Sequence, residues 1–252
     1  MTKLKELVKF LDKELKTKKI PDISVNGLQV KIKNKQEIKK VGFAVDACLS
    51  TFEKAKKEKV DLLIVHHGIK WKPQKYIRVQ KRRKTWLKKN KINLYAVHAP
   101  LDKNEKYGHN IGLSRLLGLK DLKRFGKFNR TYYGFAGKLK SPLEIKEISK
   151  IIEKRLKTKC RVFIFNNKKI FSMGIVSGSS GVAIEEAAKK KLDCFLLGEI
   201  RLGQLRQAQD LKLNLIVAGH YATETPGLIL LKKLIENKFP IKTVFIDDVV
   251  NY

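Results

Sequence analysis

The chain has 252 residues, of which 43% are hydrophobic and 32% are charged, and its formal net charge is +32. This length suits one large domain or two modest ones, and either can bury a real core. No apolar run approaches the about 20 residues that cross a bilayer, and we expect neither a membrane span nor a signal peptide. The three cysteines are far apart and form no C-x-x-C pair, which indicates a reducing cytoplasm and argues against a disulfide framework or a cysteine-based zinc site.

The large positive charge leaves two interpretations open. It can mark a protein that binds nucleic acid or another anionic surface. The lysines are nevertheless spread over every segment and lie mostly on the polar faces of predicted helices, as in a lysine-rich proteome or after adaptation to high intracellular salt. The one dense cluster is KRRK, Lys81–Lys84. Binding to nucleic acid is therefore kept as an alternative.

Short β-rich runs alternate with amphipathic helical runs along the chain. This alternation predicts an α/β fold with much parallel sheet. The predicted strands cover residues 40–47, 61–66, 93–98, 131–139, 161–165, 171–177, 193–198, 213–219 and 242–247. The predicted helices cover residues 2–17, 50–59, 78–90, 109–117, 142–157, 180–190, 200–210 and 224–237.

Two segments of the chain resemble each other without a gap at an offset of 132 residues. Gly42–His67 and Gly174–Glu199 each read as strand, turn, helix and strand, and their apolar positions coincide. A second match follows in the same order, between residues 93–102 and 214–224, with a slip of one residue. Two matches in the same order favour an internal repeat over coincidence.

The repeat predicts two similar α/β lobes. We expect residues 1–128 with 224–252 to form the first lobe and residues 129–223 to form the second. The alternative is one continuous sheet whose periodicity is coincidental.

Histidines and carboxylates concentrate at the carboxyl ends of the predicted strands, where parallel α/β sheets bind ligands. These residues are His66, His67, His98, Asp102, Glu199, His220 and Glu224. Imidazole and carboxylate ligands without cysteine are typical of Zn, Mn, Fe or Ni sites. The set is large enough for two metal ions, which can activate a water molecule and hold a phosphoryl or carbonyl group. We therefore predict a metal site at the strand ends.

Several of these residues have a second interpretation. His98 can support a metal ligand or contact the substrate, and Glu199 can be a general base or a carboxylate at a helix N-terminus. His109 is expected to cap the start of a helix. The stretch SGSSG, Ser177–Gly181, could hold a phosphate with its backbone N–H groups, but it lacks the rest of a phosphate-binding loop and equally suits a tight turn.

Six short motifs occur in a set order. They are VNGLQV (25–30), IVHHGIKWK (64–72), NLYAVHAPLD (93–102), GHN (108–110), LLGE (196–199) and AGHYATE (218–224). Together they resemble the Nif-three-like proteins, many of which carry the name GTP cyclohydrolase 1 type 2 homolog. The resemblance implies a two-lobed α/β subunit, a centre with two divalent metal ions between the lobes and a toroidal homohexamer. It assigns the metal-ligand positions to His66, His67, Asp102, His220 and Glu224.

From the residues and the resemblance we expect a cytoplasmic, metal-dependent hydrolase that acts on a small, anionic, nucleotide-like substrate. His98 and Glu199 are the candidates for proton transfer. Asn26 and Asn110 lie within the motifs and are the candidate substrate-binding residues. The alternatives are a non-enzymatic metal-handling or regulatory protein and a nucleic-acid-binding ring.

Overall fold

The computed structural model describes residues 2–73, 76–128 and 130–249 as a mixed α/β protein. Its strands are β1 (Thr2–Lys3), β2 (Gly27–Val30), β3 (Glu37–Ile38), β4 (Lys40–Asp46), β5 (Leu62–His67), β6 (Asn93–Ala96), β7 (Lys120–Phe128), β8 (Thr131–Leu143), β9 (Arg161–Phe163), β10 (Ile170–Ser179), β11 (Cys194–Glu199), β12 (Asn214–Val217) and β13 (Lys242–Phe245). Its helices are α1 (Leu4–Glu14), α2 (Leu49–Lys57), α3 (Ile77–Lys89), α4 (Ala99–Asp102), α5 (His109–Leu116), α6 (Ile145–Leu156), α7 (Ile184–Lys189), α8 (Leu202–Asp210), α9 (His220–Thr223) and α10 (Pro226–Lys238). Among the described residues, no helix has the length and apolar character needed to cross a membrane.

Each predicted strand and helix is present, with ends that shift by a few residues. The sequence did not predict β1, β2, β3, β7 or the one-turn helices α4 and α9. β7 was not predicted because five of its nine residues are charged, KDLKRFGKF, so no apolar alternation marks it as a strand. The short elements contain too few residues to show a period.

Two compact units make up the chain. Unit 1 is Met1–Asn104 with Leu228–Tyr252, and unit 2 is Glu105–Gly227. These limits differ from the lobe limits drawn from the sequence because β7 pairs along its length with β8 and so belongs to the sheet of unit 2. Residue 129, where the predicted second lobe begins, and residues 250–252 lie outside the described residues.

Unit 1 is built on a five-stranded sheet with the order β13-β4-β5-β6-β2. The first four strands are parallel, and β2 is antiparallel to β6 at the edge. One face of the sheet packs on α2 and α3 through buried side chains that include Phe52, Leu63, Leu87 and Leu94. Because β5 and β6 are parallel, the residues that follow them lie at the same edge of the sheet.

Unit 2 contains a six-stranded sheet with the order β7-β8-β10-β11-β12-β9. Strands β10, β11 and β12 are parallel, while β8 and β9 flank them in the antiparallel sense. The strand triplet and its antiparallel edge strand β9 therefore match β4, β5, β6 and β2 of unit 1 in order and direction.

The internal repeat extends to the register of the strands. In unit 1, Val41 lies opposite Leu62, and in unit 2 Met173 lies opposite Cys194. Each partner in unit 2 is 132 residues after its counterpart, so the sequence offset is also the structural offset. The match holds for four successive pairs and then breaks at an irregularity in β10 after Val176.

Polar residues that the two segments share have the same structural role. The carboxylate of Asp61 accepts two backbone N–H groups at the start of β4, and that of Asp193 accepts two at the start of β10. The side-chain oxygen of Asn93 accepts the N–H of Ile32 at 2.9 Å, and that of Asn214 accepts the N–H of Phe165 at 2.8 Å. The repeat therefore preserves side-chain hydrogen bonds to the backbone at the strand ends as well as the apolar pattern.

Candidate metal centre

His66 and His67 are the last two residues of β5 in unit 1. The strand ends one residue later than predicted, so both histidines belong to it. The side chain of His66 is fully buried, whereas that of His67 is partly exposed. Their ring centroids lie 4.7 Å apart with the planes tilted by 48°. The end of the strand thus places two imidazoles side by side.

The Nδ1 atom of each of these histidines is held by an acceptor. His66 Nδ1 lies 3.0 Å from the carbonyl oxygen of Val97, and His67 Nδ1 lies 2.9 Å from Oδ1 of Asp46. A carbonyl or carboxylate oxygen only accepts, so Nδ1 carries the proton in each ring. The lone pair of the neutral ring is then on Nε2. An imidazole whose N–H is fixed in this way is the usual form of a metal-ligating histidine.

His98 follows β6 and completes a group of three imidazoles in unit 1. Its ring centroid is 4.9 Å from that of His66 and 5.6 Å from that of His67. The three residues each offer a nitrogen, and these nitrogens lie within 4.8 Å of one another. Asp102, at the end of α4, brings Oδ1 to 3.6 Å from Nε2 of His66. Three imidazoles and one carboxylate therefore converge at the edge of this sheet.

Asp22 orients His98 and was not identified from the sequence. Its Oδ1 accepts the Nδ1–H of His98 at 2.9 Å, and its Oδ2 accepts the backbone N–H of Ala99 at 2.8 Å. The side chain is only 4% exposed. Burial raises the pKa of Asp22, but the hydrogen bond and charge of His98, with a hydrogen bond from Asn26, outweigh it and lower the pKa to about 2. A carboxylate four residues before the VNGLQV asparagine is the only sequence signal for this role.

Asn26 helps to hold the same histidine in position through two hydrogen bonds. Its Nδ2 donates to Asp22 at 2.8 Å, and its Oδ1 accepts the backbone N–H of His98 at 2.7 Å. Asn110 of unit 2 is fully buried and has a comparable place, since it donates to the carbonyl of Tyr133 and accepts the N–H of Ser177. Contact of either asparagine with a substrate stays a prediction.

Unit 2 has its own group of one histidine and two carboxylates. His220 is the first residue of α9, Glu224 follows that helix, and Glu199 ends β11. His220 Nδ1 lies 3.0 Å from Oε2 of Glu199, and Nε2 lies 3.2 Å from Oε1 of Glu224. The Nδ1 atom is again held by an acceptor, and Nε2 faces a carboxylate whose side chain is 5% exposed.

These carboxylates favour positive charge at His220. Burial lowers the pKa of the imidazole, but the hydrogen bonds and charges of Glu224 and then of Glu199 outweigh it and raise the pKa to about 9. In metal-free protein the position is therefore occupied by a proton at neutral pH. A divalent cation would replace that proton beside the same two carboxylates.

A glycine allows the carboxylate of Glu224 to approach the backbone of β10. Gly178 has φ +65°, and a Cβ there would lie 2.4 Å from Oε1 of Glu224. The stretch SGSSG therefore contains a glycine at which the backbone lies close to the carboxylate of Glu224. Its N–H groups at Ser177 and Gly178 are taken by the side chains of Asn110 and Thr223, which favours the tight-turn interpretation over the phosphate-binding one.

His109 differs from the other four histidines. Its Nδ1 accepts the backbone N–H of Gly227 at 3.1 Å, so in the neutral ring the proton is on Nε2. The ring is fully buried, lies at the first residue of α5 and caps the first turn of α10. The polarity of the hydrogen bond at Nδ1 separates this structural histidine from the candidate ligands.

Comparison with known proteins places the chain in a family. The family described as Duf34/NIF3 (NGG1p interacting factor 3) matches residues 2–251. A protein of Pyrococcus abyssi named GTP cyclohydrolase 1 type 2 homolog is 42% identical over 245 residues, 96% of either chain, and one of the same name from Archaeoglobus fulgidus is 34% identical over 97% of each. The structure of TTHA1606 from Thermus thermophilus superposes with a TM-score of 0.88 at 35% identity over the whole of both chains. The chain belongs to the Duf34/NIF3 family, as the six motifs predicted.

Proposed function

We propose that this chain binds two divalent metal ions and hydrolyses a small, phosphorylated, nucleotide-like substrate. The observation that carries the proposal is the common state of the candidate ligands. In His66, His67 and His220 an oxygen acceptor holds Nδ1, which leaves Nε2 as the atom that can bind a metal ion once it carries no proton. Structural histidines have no need of this shared polarity, and His109 shows the opposite one.

Five residues would hold the metal ions. In unit 1 they are His66, His67 and Asp102, and in unit 2 they are His220 and Glu224. Imidazole and carboxylate donors fit Zn, Fe, Mn or Ni. A bound divalent ion supplies Lewis acidity toward a substrate oxygen or a water molecule.

The remaining residues of the two groups orient and move protons. Asp46 and Glu199 fix the rings of His67 and His220. His98 has its Nδ1–H tied to Asp22, so its Nε2 is the atom able to accept a proton from an attacking water or return one to a leaving group. His98 is the candidate general base because the buried carboxylate of Asp22 fixes the orientation of its ring.

The substrate class follows from charge and from the relatives. The chain has a formal net charge of +32, which favours anionic ligands. The relatives bear the name GTP cyclohydrolase 1 type 2 homolog, so a purine nucleotide is the first compound to screen.

A homohexameric ring and a cytoplasmic location belong to the same proposal. They are supported by the resemblance and by three free cysteines, and light scattering and cell fractionation test them.

Metal content and hydrolysis measured together test the proposal. Purified protein, reconstituted with each of the four metals, is assayed by elemental analysis and by screening nucleoside triphosphates for loss of phosphate or opening of the base. We expect about two metal ions per chain and metal-dependent turnover. Glu224→Gln removes one charged ligand and should reduce metal content and turnover together.

The matched control is Glu185→Gln in the same unit. Glu185 is an exposed carboxylate on α7 that pairs with Lys189 and Gln207, away from any histidine. This variant should keep the metal content and turnover of the wild type. Metal binding without hydrolysis of any nucleotide would contradict the hydrolase and favour a metal-handling role. Absence of bound metal in all four reconstitutions would contradict the site itself.

A further inference from the structure

A basic cavity of about 460 Å³ lies in unit 1 beside the histidine group. The residues that line it are Val25, Ile69, Lys70, Trp71, Lys72, Ile77, Gln80, Lys81 and Lys84. Its volume is within the range of about 300–1,000 Å³ that small-molecule sites have. Four of its nine lining residues are lysines and none is acidic, so an anion is the ligand that the lining fits.

The lysines of the cavity lack local counter-charge. No acidic residue occurs between Asp61 and Asp102 in the sequence. Within the described ranges, no salt bridge involves Lys70, Lys72, Lys81 or Lys84, although several lysines elsewhere in unit 1 are paired. The absence of neutralising partners leaves these ammonium groups to attract a multiply charged anion.

Trp71 forms a wall that the cavity shares with the histidine group. Its ring centroid is 5.1 Å from that of His98 in an edge-on arrangement and 6.1 Å from that of His67. The indole is held in place because Nε1 donates to the carbonyl of Gly68 at 2.9 Å. Trp71 therefore contacts both the cavity and the candidate general base.

We propose that this cavity binds the phosphate chain of a nucleotide and so positions the nucleotide beside His98. The proposal rests on the proposed function for the reaction that follows, but phosphate binding itself depends on the lysines. Lysine is a point-charge donor suited to phosphate oxygens, and two of the four lysines come from one turn of α3, at Lys81 and Lys84. The KRRK cluster, which the sequence left without a function, thereby provides part of the site.

Binding of inorganic triphosphate and of GTP to paired lysine variants tests the proposal. Calorimetry is performed on the wild type, on Lys81→Gln/Lys84→Gln and on Lys88→Gln/Lys89→Gln. The second pair lies on the same helix outside the cavity and removes the same charge. We expect the Lys81→Gln/Lys84→Gln variant to bind both ligands about tenfold or more weakly than the wild type. The Lys88→Gln/Lys89→Gln variant should change either affinity by less than about threefold.

Metal-free protein separates this proposal from the proposed function. The comparison is repeated after chelation, and elemental analysis is done on every variant. The dependence on the cavity lysines should persist without metal, even where overall affinity falls. Failure to bind metal would refute the proposed function while leaving the lysine comparison intact.

Trp71 provides a direct readout of the cavity. The chain has two tryptophans, and Trp86 packs on Phe52 in the core of unit 1. In a Trp86→Phe background, inorganic triphosphate should change the remaining fluorescence with the same affinity that calorimetry gives. Unchanged fluorescence at saturation would place the anion elsewhere and overturn the proposal.

Two further results would overturn it. Equal loss of affinity in both lysine pairs would indicate attraction by overall charge. If the Lys81→Gln/Lys84→Gln variant binds a single-stranded oligonucleotide more weakly but binds triphosphate and GTP as the wild type does, the lysines form a nucleic-acid surface instead.

Discussion

Replacement of Asp22 by asparagine removes a buried charge without changing the shape of the side chain. The carboxylate accepts four hydrogen bonds in unit 1, from the ring of His98, the backbone N–H groups of Ser24 and Ala99 and the amide of Asn26. Asparagine offers one acceptor oxygen and an NH₂ group that only donates. At least one of the four donors must then face another donor in a position that is 4% exposed.

The expected loss of stability follows from the pKa of the carboxyl group. The pKa falls from 3.8 to about 2 on folding, and about 1.4 kcal/mol per unit converts this to about 2.5 kcal/mol of stabilisation by the ionised form. Because the pKa in the folded state is below that in the unfolded state, this stabilisation is complete above about pH 4. It is lost as the pH falls toward about 2. We therefore expect Asp22→Asn to lower the free energy of unfolding by about 2–3 kcal/mol at pH 7.

Urea unfolding of metal-free protein between pH 7 and pH 3 measures this effect. The matched control is Asp46→Asn, since Asp46 also accepts the Nδ1–H of a histidine at 2.9 Å, in this case His67. The side chain of Asp46 is 43% exposed, so its substitution should lower the free energy of unfolding by less than about 1 kcal/mol. The difference between wild type and Asp22→Asn should narrow below pH 4.

Two results would refute this reasoning. If the Asp22 and Asp46 substitutions lower the free energy of unfolding equally, burial of the Asp22–His98 pair does not add to its contribution to stability. A difference between wild type and Asp22→Asn that stays constant from pH 7 to pH 3 would show that the ionised carboxylate is not the stabilising form.

Three further predictions concern the same structure. Glu199→Gln should weaken metal binding about 10–100-fold, measured by competition with a chelator, because the ring of His220 loses a charged acceptor; unchanged affinity would contradict the orienting role. Gly178→Ala should reduce metal content, measured by elemental analysis, because its Cβ would displace Glu224; full metal content would contradict that role of the glycine. Asp248→Asn should lower the melting temperature at pH 7. Burial raises the pKa of Asp248, but hydrogen-bond donors on α2 outweigh burial and lower the pKa to about 2, so the ionised carboxylate stabilises the fold. The decrease in melting temperature should become smaller in acid, and a decrease that does not depend on pH would contradict this cause.

The sequence alone predicted the elements that have a clear period or a repeat. The apolar runs of β4, β5, β10 and β11 and the offset of 132 residues predicted two related strand sets, and the strand registers agree with that offset. The family was identified from six short motifs in one order, and the family model matches residues 2–251. The clustering of histidines and carboxylates at strand ends predicted the positions of the candidate ligands because parallel strands direct their carboxyl ends to one edge.

Tertiary structure decided how each of those side chains is held. No local pattern shows that Asp22 supports His98, because 76 residues separate them and only the fold brings them to 2.9 Å. The same is true of the proton on each ring, since the acceptor at Nδ1 is distant in the sequence for His66, His67 and His220. The sequence predicted a helix-capping role for His109, and the tertiary structure shows that its Nδ1 accepts the N–H of the distant Gly227. Residue type and spacing thus determine which groups gather at a strand end. The state of each group depends on hydrogen bonds between segments far apart in the chain.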